Sequence, residues 1–259
     1  KLVLFLFFFQ FAQLIVPYPN GSILKILQIL KISCIILNSK KLELNTPIKT
    51  TIALKPLFLG GIALTNNIHV CRMTDYNHDV SYEVANVFVD GYYKDLSFFT
   101  KDKEMLRNAF KSTFCPDVFY LAVMDGKIAG ILACAHNRQR AMCIEKNNMK
   151  NHLGFVMGNL AYYLLKSEFN TPLTYPDNTA YIECVATSEA VRGKGVCTAL
   201  LQHIMQELPY SEFILDVADT NQNAYRLYEK LGFSEFKRKQ EKHPKLKGLN
   251  ERIYMKWLK

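Results

Sequence analysis

Residues 181–201 constrain the fold of this chain more than any other stretch. They read YIECVATSEAVRGKGVCTALL, an apolar strand-like run joined to a helical pattern by a polar loop with two glycines at its end. A strand that hands over to a helix through a tight turn belongs to a layered structure, with helices covering a sheet. Glycines let the backbone approach a ligand closely, and the helix start adds unpaired N–H donors and the positive end of its dipole. The natural guest is a phosphate or pyrophosphate, to which Arg192 and Lys194 would add charge. Two nucleotide-binding patterns do not fit. The P-loop pattern G-x-x-x-x-G-K-[ST] is absent, and a dinucleotide fingerprint needs a third glycine where Thr198 stands.

The periodicities on either side predict alternating strands and helices. Ile68–Met73 reads as a strand. Asp75–Asp79 offers helix-capping chemistry, and Val80, Val84, Val87 and Phe88 recur at helical spacing as far as Gly91. A second helix covers Lys101–Lys111, with Met105, Leu106, Ala109 and Phe110 on one face. Val118–Met124 and Ile128–Ala135 flank Asp125-Gly126, a strong hairpin signal. Within residues 138–176, Leu153, Val156, Met157, Leu160, Ala161, Leu164 and Leu165 predict one amphipathic helix packed on the core. Further strands are expected at Tyr181–Ala186, Phe213–Ala218, Phe233–Lys237 and Arg252–Leu258. Helices are expected at Val196–Leu208 and Asn221–Leu231, the latter stopped by Gly232. The basic run Lys237–Lys247 reads as a solvated hairpin loop. This order is that of an α+β fold, a mixed sheet flanked by helices.

The first 67 residues differ from this pattern. They hold seven lysines and one acid, Glu43, a net of +6, whereas residues 68–259 hold 25 basic and 22 acidic residues. The excess that makes the chain +9 therefore sits largely outside the patterned region, and no nucleic-acid partner is expected. Leu2–Val16 and Ile23–Leu37 are apolar runs of 15 residues each, short of the roughly 20 that a membrane span requires. No small-x-small cleavage site follows the first run, and Lys31 places a charge ahead of Cys34 where a lipoprotein signal would be apolar. Residues rich in AT-encoded types and the lack of an initial Met favour a non-native read-through. A membrane-associated segment is the second reading, and membrane contact is expected only if residues 1–37 are genuine. Seven scattered cysteines without a C-x-x-C pair, and histidines without ligand spacing, predict free thiols in a reducing, cytoplasmic setting and no metal.

A second motif stands downstream, Asn221-Gln-Asn-Ala-Tyr-Arg-Leu-Tyr-Glu-Lys-Leu-Gly-Phe233. Together the two segments resemble the GNAT superfamily of acetyl-CoA-dependent N-acetyltransferases, over about residues 68–259. Arg192, Gly195 and Cys197 match that family's pyrophosphate loop R/Q-x-x-G-x-G/A, and Asn221, Ala224, Leu227, Tyr228, Lys230, Gly232 and Phe233 match its N-x-x-A-x-x-L-Y-x-K-x-G-F helix. Two positions depart from the family, Cys197 where Gly or Ala is usual and Glu189 where Pro often stands.

The resemblance implies a division of labour. Val185, Ala186 and Thr187 would hold the pantetheine arm along splayed fourth and fifth strands. Arg192, Gly193, Lys194, Gly195, Val196 and Cys197 would bind the pyrophosphate of acetyl-CoA, the co-substrate, and Asn221 joins the coenzyme-binding set. A fourth-strand N–H would polarise the thioester carbonyl. Glu183 is the expected base and Tyr228 the expected proton donor to the departing thiolate. The acceptor would be a primary amine on a small molecule or peptide, attacking directly in a ternary complex near the 138–176 insert. A homodimer is compatible with this reading. A catalytically silent acyl-CoA sensor on the same fold is the alternative.

Overall fold

The computed structural model describes residues 68–241, 244 and 248–259. The two apolar runs, Cys34 and the later part of the Lys237–Lys247 stretch lie outside the described residues. Seven strands form one sheet: β1 His69–Arg72, β2 Phe119–Met124, β3 Lys127–Ala135, β4 Thr179–Thr187, β5 Glu212–Ala218, β6 Ser234–Gln240 and β7 Glu251–Leu258. Their spatial order is β1-β2-β3-β4-β5-β7-β6, and every neighbouring pair is antiparallel except β4 with β5. Among the described residues six helices flank it: α1 Ser81–Leu96, α2 Lys103–Phe110, α3 Lys146–Leu153, α4 Phe155–Phe169, α5 Val196–Glu207 and α6 Gln222–Lys230. The mixed sheet flanked by helices that the sequence leads one to expect is the architecture found, and it is mostly antiparallel.

Local chemistry explains the boundaries. Asp102 caps α2 by accepting from the amides of Glu104 and Met105. Asp125 and Gly126, at φ 53° and 72°, turn β2 into β3 as an Asp-Gly pair does in a two-residue hairpin. Because strand side chains alternate, the sheet carries two cores. On one face Phe119, Leu121, Ile131 and Ala133 pack with Val84, Val87 and Phe88 of α1, Leu106 and Phe110 of α2, and Met149 of α3. On the other, Tyr120, Ala122, Leu132, Phe213 and Leu215 pack with Val196, Leu200, Leu201 and Ile204 of α5 and with Tyr228 of α6. Helix α1 runs five residues past Gly91, where the sequence suggested a stop. There it lies so close to β4 that a Cβ on Gly91 would meet the Ala186 Cβ at 2.6 Å.

Two expectations need correction. The insert holds two helices rather than one, because Gly154 at φ 77° interrupts the pattern between Leu153 and Phe155. Its apolar stripe is also divided: Leu153 and Ala161 are buried and Met157 and Leu165 pack partly against the core, while Val156 and Leu164 are exposed. The stretch Lys237–Gln240, expected in a loop, belongs to edge strand β6. Charge does not prevent this, since all seven β6 residues are exposed and an edge strand tolerates lysines well.

Candidate active site

Strands β4 and β5 run side by side only from Thr179 to Ile182, opposite Glu212 to Leu215. Beyond that they part. β5 stays paired with β7 along its whole length, and β4 follows β3, so Glu183–Thr187 and Asp216–Ala218 face a cleft instead of each other. A bulge accompanies the fork. Ile131 and Ala133 of β3 pair with Ala186 and Glu183, so three steps along β4 cover two along β3. Cys184 adopts φ 53°, the left-handed region that a non-glycine residue enters at a cost. The extra residue resets the alternation, leaving Cys184 and Ala186 in one core and Val185 against the other. Tyr92 of α1 donates its hydroxyl to the Val185 carbonyl at 3.2 Å.

The fork opens on a cavity of about 810 Å³. Of the residues singled out in the sequence, Glu183, Val185, Ala186, Thr187, Arg192, Asn221 and Tyr228 line it. Gly193, Lys194, Gly195, Val196 and Cys197 do not; they form the turn that leads from Arg192 into α5. Gly193 and Gly195 sit at φ 79° and 85° with open space around a Cβ position, so backbone angle rather than room demands glycine there. Gly195 is the N-cap, and Ala199 makes the first return bond to its carbonyl at 2.9 Å. The amides of Val196, Cys197 and Thr198 thus have no acceptor among the described residues, a donor set that fits a diphosphate. The Val196 side chain is buried in the core and contributes only this amide. Cys197 is half-buried, and burial pushes its thiol up to about 12, the opposite of an activated nucleophile. Asn221 caps α6, its side-chain oxygen accepting from the Ala224 amide at 3.2 Å.

Tyr228 is 7% exposed and packs on Phe233 at 6.0 Å between ring centres. Its hydroxyl makes no hydrogen bond to a described residue. Burial, then the nearby Cys197 and Asp216, raise its pKa, so the proton stays on the oxygen. Glu183 is 8% exposed and pairs with Arg140, while the Ala141 amide donates to it at 3.2 Å. Burial raises its pKa despite the opposing pull of Arg140. Arg140 also donates to the carbonyls of Glu168 and Thr171, which ties both ends of the insert to β4; its Nε has no partner among the described residues.

A family model described as the acetyltransferase (GNAT) family matches residues 83–233. The chain belongs to the GNAT acetyltransferase family. Three solved structures similar to this chain are each of low identity. An N-acetyltransferase from Staphylococcus aureus Mu50 is 20% identical, with a TM-score of 0.48 over 73% of this chain and 99% of its own. The ribosomal-protein-S18-alanine N-acetyltransferase of Escherichia coli is 14% identical, TM-score 0.45, over 74% and 93%. A GNAT family acetyltransferase from Elizabethkingia anophelis, with acetyl-CoA bound, is 13% identical, TM-score 0.43, over 75% and 100%. A search of curated protein sequences finds no match.

Several lining residues of this GNAT domain escape sequence reasoning. The Tyr181 hydroxyl donates to Asp216, and Arg252 bridges Asp216 at 3.0 Å, Glu168 at 3.1 Å and Glu241 at 2.8 Å. Glu168, Tyr181 and Arg252 also line a second cavity of about 440 Å³, with Tyr175, Lys239 and Tyr254, so the two chambers share a wall. A lone acid inside the apolar run Phe213–Ala218 was the available signal for Asp216. Arg140 had none, because its partner lies 43 residues away. Among the described residues no helix is long and apolar enough to cross a membrane, and no cluster of three metal-ligating side chains occurs.

Proposed function

We propose that this chain transfers an acetyl group from acetyl-CoA to a primary amine, by direct attack in a ternary complex. The observation that carries the reading is the fork between β4 and β5, with the Tyr228 hydroxyl unbonded in the cavity beside it. The free amides at the start of α5 and the edge of Val185–Thr187 that β5 leaves uncovered fit the diphosphate and the pantetheine arm of acetyl-CoA. Arg192, loosely paired with Glu189 at 3.9 Å, is available to add charge. Bound there, acetyl-CoA supplies an activated acyl thioester.

The remaining work falls to positioning and proton transfer. A lysine-like amine is protonated at neutral pH, and freeing its lone pair costs roughly 4–5 kcal/mol. Glu183 accepts that proton at its carboxylate, directly or through water. A β4 backbone N–H stabilises the oxyanion while the C–N bond forms and the C–S bond breaks. Tyr228 gives its hydroxyl proton to the departing sulfur, and the proton that the acylated nitrogen sheds restores it through water. Six described cysteines are free thiols, which supports a reducing, cytoplasmic setting.

Calorimetry with acetyl-CoA, followed by measurement of coenzyme A release across a panel of amines, tests the reading. Binding with turnover on at least one amine is expected. Binding without turnover across the panel would make the chain an acyl-CoA sensor, and absence of binding to folded protein would refute both.

A further inference from the structure

Helix α4 carries apolar side chains on opposite sides. Ala161 is buried, and Met157 and Leu165 pack against the core, yet Phe155, Val156, Tyr163 and Leu164 are 74%, 50%, 52% and 39% exposed. Their spacing, i, i+1, i+8 and i+9, makes one outward stripe about 14 Å long. Three lysines frame it. Lys150 Nζ lies 5.6 Å from the Phe155 ring centre, Lys146 lies 5.3 Å from Tyr163 and 5.9 Å from Tyr162, and Lys166 lies 5.4 Å from Tyr162. None of these ammonium groups is ion-paired with a carboxylate among the described residues. Neither cavity is lined by any residue of 155–166, so this is an exposed helix surface rather than a groove.

We propose that this face docks on an anionic lipid surface, with the lysines on the headgroups and Phe155, Val156 and Leu164 in the interfacial layer. Exposed apolar residues would gain from leaving water, and rings with ammonium groups beside them suit a boundary that is apolar on one side and charged on the other. An acidic protein would satisfy the lysines equally, but a second feature of the chain favours lipid. Residues 1–67 repeat the same chemistry, with seven lysines, one acid and two apolar runs of 15 residues, so the choice of lipid rests on the membrane-associated reading of that segment rather than on read-through. Surface charge and apolar area act together in such binding, and each signal alone is weak.

Flotation of the full chain with vesicles tests the proposal. Vesicles of phosphatidylcholine alone are compared with vesicles that also contain phosphatidylserine, and the N-terminal segment is kept in every protein. Wild type should partition more strongly onto the anionic vesicles. Lys146→Gln/Lys150→Gln/Lys166→Gln should lower that partitioning about tenfold or more, and Phe155→Ser/Val156→Ser/Leu164→Ser should lower it on both vesicle types. These positions lie outside the cavity and all but the half-buried Lys150 are exposed, so unchanged thermal unfolding and acetyl-CoA binding will show that the variants are folded. Equal partitioning of variants and wild type, or no preference of wild type for anionic vesicles, overturns the proposal. So does a concentration-dependent dimer abolished by the same substitutions, which would assign the face to a second copy.

Discussion

The Tyr92 hydroxyl on α1 donates to the carbonyl of Val185 at 3.2 Å, where β4 is bulged and leaves β5. One ring thus spans from a helix on one face of the sheet to the backbone of the candidate coenzyme-binding edge. Its pKa is raised well above the ordinary tyrosine value, first by burial, so it donates across the whole working pH range.

Tyr92→Phe leaves the Val185 carbonyl without that donor. Stability should fall by about 1–2 kcal/mol, read as a lower urea midpoint at unchanged slope. An unaltered midpoint would mean that the bond contributes nothing in solution.

Tyr228→Phe removes one oxygen from a site where nothing else holds it. The rate constant kcat should drop at least about tenfold, with acetyl-CoA affinity by calorimetry nearly unchanged. Full turnover in this variant would take Tyr228 out of the chemistry.

The pH profile tests Glu183. A base acts when ionised, and burial has raised this carboxyl, so kcat/KM should climb with pH through a midpoint above the usual carboxylate range. Removing the opposing charge with Arg140→Met should move that limb to still higher pH, and Glu183→Gln should abolish it. A limb that persists in Glu183→Gln belongs to another group. Stability follows the same sign: a raised carboxyl binds its proton more tightly when folded, so its contribution is present below the unfolded pKa and is lost as pH rises through the folded one.

Thiol labelling separates packing cysteines from reactive ones. Cys143 is exposed, while burial pushes Cys134 and Cys197 up to about 12. At pH 8 roughly one in ten thousand of the latter is thiolate, so iodoacetamide should modify Cys143 before either of them. Labelling of Cys197 should accelerate with each rise in pH toward 12. Fast modification at neutral pH would mark it as a nucleophile instead.

Local signals were the legible ones. Asp125-Gly126 specified its hairpin, the spacing of Ala224, Leu227 and Tyr228 specified α6, and the glycine turn at 193–195 led into α5 as its sequence demanded. Each of these depends on neighbours within a few residues. The bulge was silent, because nothing in Glu183-Cys184-Val185 distinguishes a strained cysteine from an ordinary strand residue; only pairing with β3 reveals it. The Arg140–Glu183 pair was silent for the same reason, being a contact between distant segments. Helix α4 misled in a different manner. Periodicity reports that a helix has apolar positions, but not which of them meet the core, and here Val156 and Leu164 face outward while Ala161 faces in.

Gly91 and Ala186 both border the main cavity, and no side chain larger than theirs fits between α1 and β4 at that point. Two of the smallest amino acids therefore set the separation of helix and strand like a spacer of fixed thickness. Any methyl group added at position 91 must lever the helix outward and alter the width of the cleft beside it. The bore of the chamber is thus gauged by two residues whose side chains take no part in the chemistry.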